Sequence, residues 1–227
     1  MSHYEKAWQA VAERIGLATA QAGRASGSVH LLAVAKTFPA EAVRAVYLTG
    51  QRAFGENQVQ EGAAKRQALA DLTDVVWHLI GPLQANKTRL AAATFDWVES
   101  VDRLKIAQRL SAQRPASMPP LDVCVQVNVS SEATKSGVAP GEALALAQEI
   151  AALPRLRLRG IMGIPAPTDD IAQQRAQFRS LRECFEQCVA VGLDVDTLSM
   201  GMSDDLESAI TEGATQVRVG SAIFGRR

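Results

Sequence analysis

The stretch 29–57, VHLLAVAKTFPAEAVRAVYLTGQRAFGEN, decides the fold. Residues 29–35 form an apolar run of strand length. Residues 40–49 place apolar side chains at helical spacing, and a second short strand signal follows at 53–55. A strand, a helix and a further strand in close succession form the unit from which parallel sheets are built.

The same rhythm continues outward. Further strand signals lie at 75–80, 97–101, 121–127, 157–162, 197–200 and 216–219. Helical runs separate them at 58–70, 87–93, 103–113, 141–153, 171–191 and 204–213, and a short last segment covers 222–224. Upstream, residues 3–22 read as an amphipathic helix with Trp8, Val11, Ile15 and Ala18 near one face. Gly23 and the run Ser26-Gly27-Ser28 end it. Strict alternation with this many strands predicts an α/β fold: one closed (β/α)8 TIM barrel with an extra N-terminal helix. An open doubly wound sheet usually has fewer strands. No composition break marks a linker. The stretch 112–120 (AQRPASMPP) lies between a helix and a strand and reads as a surface loop, so 1–227 is expected to be a single domain.

Composition narrows the function classes. The chain has 227 residues, 47% of them apolar, with 24 Lys and Arg against 24 Asp and Glu. Balanced charge gives no electrostatic case for nucleic acid or an anionic membrane. Arg226-Arg227 is too short for a basic tail, and Arg155, Arg157 and Arg159 alternate with leucines as they would on a strand rim. Cys124, Cys184 and Cys188 lack CxxC spacing and read as small core residues. No His or carboxylate set has metal-ligand spacing, so no metal is expected. The start lacks a signal-peptide pattern, and no apolar stretch is long enough to span a membrane. A soluble, cytoplasmic protein is the expectation.

In such barrels chemistry gathers at the C-terminal ends of the strands. Strand one ends at Lys36. Desolvation at the barrel mouth would make this amine nucleophilic toward an aldehyde, although position alone favours a rim lysine in solvent. Strand two leads into Gly55-Glu56-Asn57. Strand three carries His78, a structural histidine or a base. Strand five enters a polar loop holding Asn128 and Lys135. Strands seven and eight give Ser199-Met200-Gly201 and Arg218-Val219-Gly220-Ser221. Loops after these two strands often bind phosphate, with glycines admitting backbone N–H groups and serines adding hydroxyls. Asp204 reads as a helix cap. An amine, an anion cup and a buried arginine are the parts that pyridoxal 5′-phosphate (PLP) requires.

The stretches LLAVAKTFP, FGENQVQE, WHLIGPLQANK, VNVSSEATKSGV, RGIMGIPAP and LSMGMSDDLESAITEGATQVRVGSAIFG together resemble the YggS/PROSC family of PLP homeostasis proteins, in order and over nearly the whole chain. The resemblance implies a barrel like the N-terminal domain of alanine racemase. It implies a Schiff base (internal aldimine) on Lys36, with Asn57 and His78 near the cofactor. Ser199, Met200, Gly201, Gly220 and Ser221 would surround the phosphate, and Arg218 would face the pyridine nitrogen. The family carries and buffers PLP for other enzymes, which points to transient contacts with PLP-dependent apoenzymes.

A guanidinium at the pyridine nitrogen keeps that nitrogen unprotonated and disfavours carbanion chemistry. Alanine racemases overcome this with two bases, the second a tyrosine from another domain. Here the sequence runs out just after strand eight, and the only tyrosines, Tyr4 and Tyr47, are not at strand ends. A non-enzymatic carrier, expected to be a monomer, is favoured over a weak racemase.

Overall fold

The computed structural model describes residues 3–130 and 136–225. Lys135 and the Arg226-Arg227 pair, singled out in the sequence, lie outside the described residues. Helix α1 (His3–Gln21) comes first, and eight parallel strands then close into a barrel in sequence order. The strands are β1 (His30–Val34), β2 (Ala53–Glu56), β3 (Val76–Leu79), β4 (Trp97–Val101), β5 (Leu121–Val127), β6 (Leu156–Gly163), β7 (Thr197–Ser199) and β8 (Gln216–Val219). Closure is made by β8 against β1, with Leu32 opposite Arg218 and Ala33 opposite Val219.

The crossover helices are α2 (Ala40–Tyr47), α3 (Val59–Ala68), α4 (Thr88–Thr94), α5 (Leu104–Gln113), α6 (Pro140–Ala151), α7 (Ile171–Ala190) and α8 (Leu206–Thr211); α9 (Ser221–Phe224) follows β8. Each expected element is present, with ends shifted by at most two residues. The start of the helical run at 87–93 differs most in kind: a 3-10 turn at Ala85–Lys87 precedes α4. The run expected at 204–213 is shorter, because α8 begins only at Leu206.

Side chains alternate across each strand, so the sheet has two faces with different contents. Outward residues such as Ala33, Trp77, Val98, Leu198, Met200, Val217 and Val219 pack with the helices in one large apolar layer. The inward face is mixed. A small apolar group of Leu32, Val34 and Ile80 lies beside buried polar residues, namely His78, Glu99, Gln126, Ser199, Gln216 and Arg218. An interior with so many buried polar groups is stable only if they bond one another.

Helix α1 lies outside the β1–β8 seam, against α2, α8 and α9. Its Trp8 Nε1 donates to Gln51 Oε1 at 3.0 Å, and Gln51 Nε2 donates to the Leu31 and Ala53 carbonyls. The three cysteines are buried free thiols, in keeping with a core role. Among the described residues no group of side chains is arranged to hold a metal ion, and no helix is long and apolar enough to cross a membrane.

Candidate cofactor site

A cleft of about 510 Å³ opens where the strands end. Lys36, Asn57, Arg218, Gly220 and Ser221 line it, together with Val34, Ile80, Pro82, Gln126, Ser136, Met202, Ser203 and Asp204. Lys36 lies two residues past the end of β1, and its side chain is exposed. Asn57 follows β2 directly. Gly81 packs against it so closely that a Cβ there would lie 2.1 Å from the Asn57 carbonyl oxygen. The Gly81 carbonyl in turn accepts the Ser100 hydroxyl at 2.6 Å, which ties the β2 and β3 exits to β4.

Arg218 forms the floor. It is almost fully buried, and its guanidinium donates to Ser199 Oγ at 2.8 Å and to the Gly163 carbonyl at 2.8 Å. A guanidinium has five N–H donors, so donors remain for the cleft side. Burial lowers its pKa, opposed by the charge of Glu99. At any ordinary pH it remains a cation.

Behind the floor lies a closed polar network. Glu99 Oε1 accepts from His78 Nδ1 at 2.6 Å and from Gln216 Nε2 at 2.8 Å, while Oε2 accepts the Ser199 hydroxyl at 2.6 Å. Burial alone would raise the Glu99 carboxyl. The His78 hydrogen bond, the charges of His78 and Arg218, and the Ser199 hydroxyl outweigh it and hold the pKa below its usual value. The His78 ring also stacks on Trp97, with centroids 4.9 Å apart. It faces the hollow at the opposite, N-terminal mouth, among Gln51, Trp97 and Arg159, and does not line the cleft.

The phosphate residues named from the sequence divide the same way. Gly220 and Ser221 line the cleft. Ser199 points inward but lies deeper, spent on Glu99 and Arg218. Met200 has the opposite parity and is buried in the outer apolar layer. Gly201 (φ 93°) lets the chain turn tightly against α8, where a Cβ would meet the Ala209 Cβ at 2.5 Å. Its carbonyl accepts the Arg218 N–H at 2.9 Å. From this loop Met202, Ser203 and Asp204 reach the cleft, and the Ser203 hydroxyl is 3.1 Å from that of Ser221. The two loops after β7 and β8 thus meet hydroxyl to hydroxyl. The first N–H groups of α9, at Ser221 and Ala222, begin the turn without intrahelical partners. Arg14 of α1 fixes the Ser203 carbonyl at 3.1 Å and pairs with Glu207.

The cap expected at Asp204 is corrected by the structure. Asp205 holds the N-cap position of α8, and its carboxylate accepts the Met202 N–H at 2.5 Å. Asp204 stands exposed on the cleft rim. The helix starts two residues later than the pattern suggested, so the N-cap position moves by one, and Asp205 makes no side-chain bond to the first turn of the helix.

The cleft contents fit PLP. They offer one amine, one buried guanidinium and a serine pair beside free backbone donors. A further fitting feature is the buried Gln126 Oε1 on the wall, which has no hydrogen-bond partner among the described residues; buried polar atoms are rarely left so. Residues 9–227 match the family model for the N-terminal domain of alanine racemase. A pyridoxal phosphate homeostasis protein from Pseudomonas aeruginosa is 59% identical over 96% of this chain and 93% of its own. The chain belongs to this family. Its barrel is also that of solved relatives. A Bifidobacterium adolescentis protein is 37% identical with a TM-score of 0.93, covering 98% of this chain and 94% of that one. PipY of Synechococcus elongatus, solved with PLP bound, is 39% identical with a TM-score of 0.80 over 95% of this chain and 100% of its own.

Sequence reasoning missed Ser203, Gln126 and Glu99. Ser203 stands in the family stretch SMGMSDD, but four residues beyond the end of β7. Glu99 had a signal of its own, an acid in the middle of the apolar strand WVESV. Gln126 is likewise a polar residue in an otherwise buried β5.

Proposed function

We propose that this chain holds PLP covalently on Lys36 and releases it to PLP-dependent apoenzymes, as a cytoplasmic carrier and buffer rather than a catalyst of turnover. The observation that carries this reading is the convergence of Lys36, Arg218, Ser203 and Ser221 on one cleft of PLP-compatible size. Bound PLP supplies an aldehyde for amines and an electron-accepting ring. Lys36 would supply the amine for a C=N bond to that aldehyde, with water leaving, and water or an incoming amine would reverse it. Ser203, Ser221 and the first N–H groups of α9 hold the phosphate by charge-assisted hydrogen bonds. Arg218 would face the ring nitrogen as a donor and keep it unprotonated, which would weaken the ring as an electron sink. Asn57 borders the ring. His78, Ser199, Met200 and Gly201 act from behind, as the network and packing that hold Arg218 and the β7 exit.

The tyrosines support a carrier over a racemase. Tyr47 donates to Asp74 at 2.6 Å on the far side of α2, and Tyr4 packs against Phe224. Neither lines the cleft, so a second base opposite Lys36 is not supplied by them. The test is borohydride reduction of the PLP-loaded protein followed by peptide mapping. A fixed adduct on Lys36, lost in Lys36→Ala along with the visible absorbance, is expected. An adduct on another lysine would overturn the assignment. Exchange of the α-proton of an amino acid into D2O at a useful rate would overturn the carrier reading.

A further inference from the structure

On the reading that PLP is carried by Lys36, we propose that Glu61 and Lys65 are positioning residues for it: with Glu56 they clamp the two peptide groups that flank Lys36 and so set how tightly its amine retains PLP. Glu61 and Lys65 are four apart on α3, so they share a face, and that face is turned to the exit of β1. Lys65 Nζ donates to the Ala35 carbonyl at 2.6 Å, to Glu56 Oε1 at 2.7 Å and to Glu61 Oε1 at 2.9 Å. Those three bonds use every donor an ammonium has. Glu61 Oε1 also accepts the Thr37 N–H at 2.5 Å. The carbonyl before Lys36 and the N–H after it are therefore held by one ion pair.

The clamp acts on a turn that needs holding. Thr37 has φ 68°, a left-handed conformation disfavoured for a β-branched residue. The Ala35 N–H is already tied to the Gly55 carbonyl at 2.9 Å, so Lys36 leaves the barrel from a point fixed on both sides. Lys65 and Glu56 are buried, and burying a charged pair is costly unless its geometry is well made. Simple filling of the space between α3 and β2 would call for apolar side chains. The charged solution places its hydrogen bonds on the backbone around Lys36.

Glu61 is the residue to change, because it is partly exposed and its loss leaves the Lys65–Glu56 pair intact. Glu61→Ala removes the acceptor for the Thr37 N–H, whereas Glu61→Gln keeps an acceptor oxygen at the same reach. PLP-loaded wild type, both variants and Lys36→Ala would be mixed with hydroxylamine as an amine trap. The rate of loss of the visible band and the visible circular dichroism would be recorded, with thermal midpoints alongside. Glu61→Ala is expected to release PLP about ten-fold faster, the loss of one charge-assisted bond, and to lose part of the induced dichroism. Glu61→Gln is expected to recover most of both. A wild-type release rate and dichroism in Glu61→Ala would overturn the clamp, and so would a Glu61→Gln protein as fast as Glu61→Ala. A lowered thermal midpoint with unchanged release would likewise leave Glu61 structural only. If wild type forms no adduct on Lys36, it is the cofactor assignment that fails, and the Lys36→Ala control separates the two outcomes.

Discussion

Arg218 donates to the Ser199 hydroxyl at 2.8 Å. That serine spends its own proton on Glu99, 2.6 Å away, and Glu99 is also the acceptor for His78. One hydroxyl thus connects the cation on the cleft floor to a carboxylate fully withdrawn from water. The consequence is that Arg218 has a stabilising role separate from any ligand. Replacing it with methionine removes a positive charge from beside Glu99, takes away the guanidinium donor of the Gly163 carbonyl and leaves Ser199 Oγ with the Gln216 Nε2 donor at 3.0 Å. Arg218→Met is expected to lose about 3 kcal/mol of unfolding free energy, as when one partner of a buried ionic group is removed. Urea denaturation of the PLP-free protein measures it.

Two buried carboxylates give opposite pH dependences. Glu99 is held below its ordinary value against the raising effect of burial, by the His78 bond and the nearby cations. Its stabilisation is present above the unfolded-state value near 4.5 and is lost as pH falls below it. Burial instead raises Glu56 from 4.5 to about 7, only partly opposed by Lys65. Its contribution is present below 4.5 and is lost as pH rises toward about 7. Thermal unfolding across pH separates them. Glu99→Gln is expected to flatten the loss of stability on the acid side, and Glu56→Gln the loss between the two values.

The hydroxyl pair Ser203 and Ser221 predicts a selectivity. Replacing both by alanine removes two donors from the joined loops but leaves Lys36 and Arg218 in place. Retention of PLP is expected to fall about ten-fold or more. Retention of pyridoxal, which lacks the phosphate, is expected to stay within about two-fold, because the lost bonds are small for a neutral group. Equilibrium dialysis with each compound decides this. Equal losses for both would place the phosphate elsewhere.

Gly81 offers a steric test. A Cβ there would lie 2.1 Å from the Asn57 carbonyl oxygen, which is backbone and cannot swing aside. Gly81→Ala is expected to destabilise by about 1–3 kcal/mol and to weaken PLP retention by shifting Asn57 on the cleft wall. Chemical denaturation and dialysis report the two effects separately.

The strand and helix order, the closed barrel and the extra helix were legible in the sequence, because periods of 2 and 3.6 are local and need no knowledge of distant residues. So was Lys36, since a lysine that ends an apolar strand is conspicuous, and so was Arg218 inside β8. The site was legible in part. Ser199 and Met200 are adjacent in sequence, yet one faces the polar interior and the other the apolar layer outside. Gly201 answers to α8, and His78 belongs to a network opening on the opposite mouth.

What the sequence by itself determined is therefore the architecture and the chemical parts, through local periodicity and the types of residue at the strand ends. Tertiary structure alone decided which parts meet. Glu99 and Ser199 are a hundred positions apart, Lys65 and Ala35 thirty, and Ser203 and Ser221 eighteen. Closure of β8 on β1 sets the phase in which each strand turns its side chains to the interior, and the lengths of the loops set how far each hydroxyl reaches. Neither quantity is written in any one segment. Lys36 stands at the mouth because it follows β1, and the peptide groups on either side of it are bonded by Lys65 and Glu61 of a helix that begins more than twenty residues later.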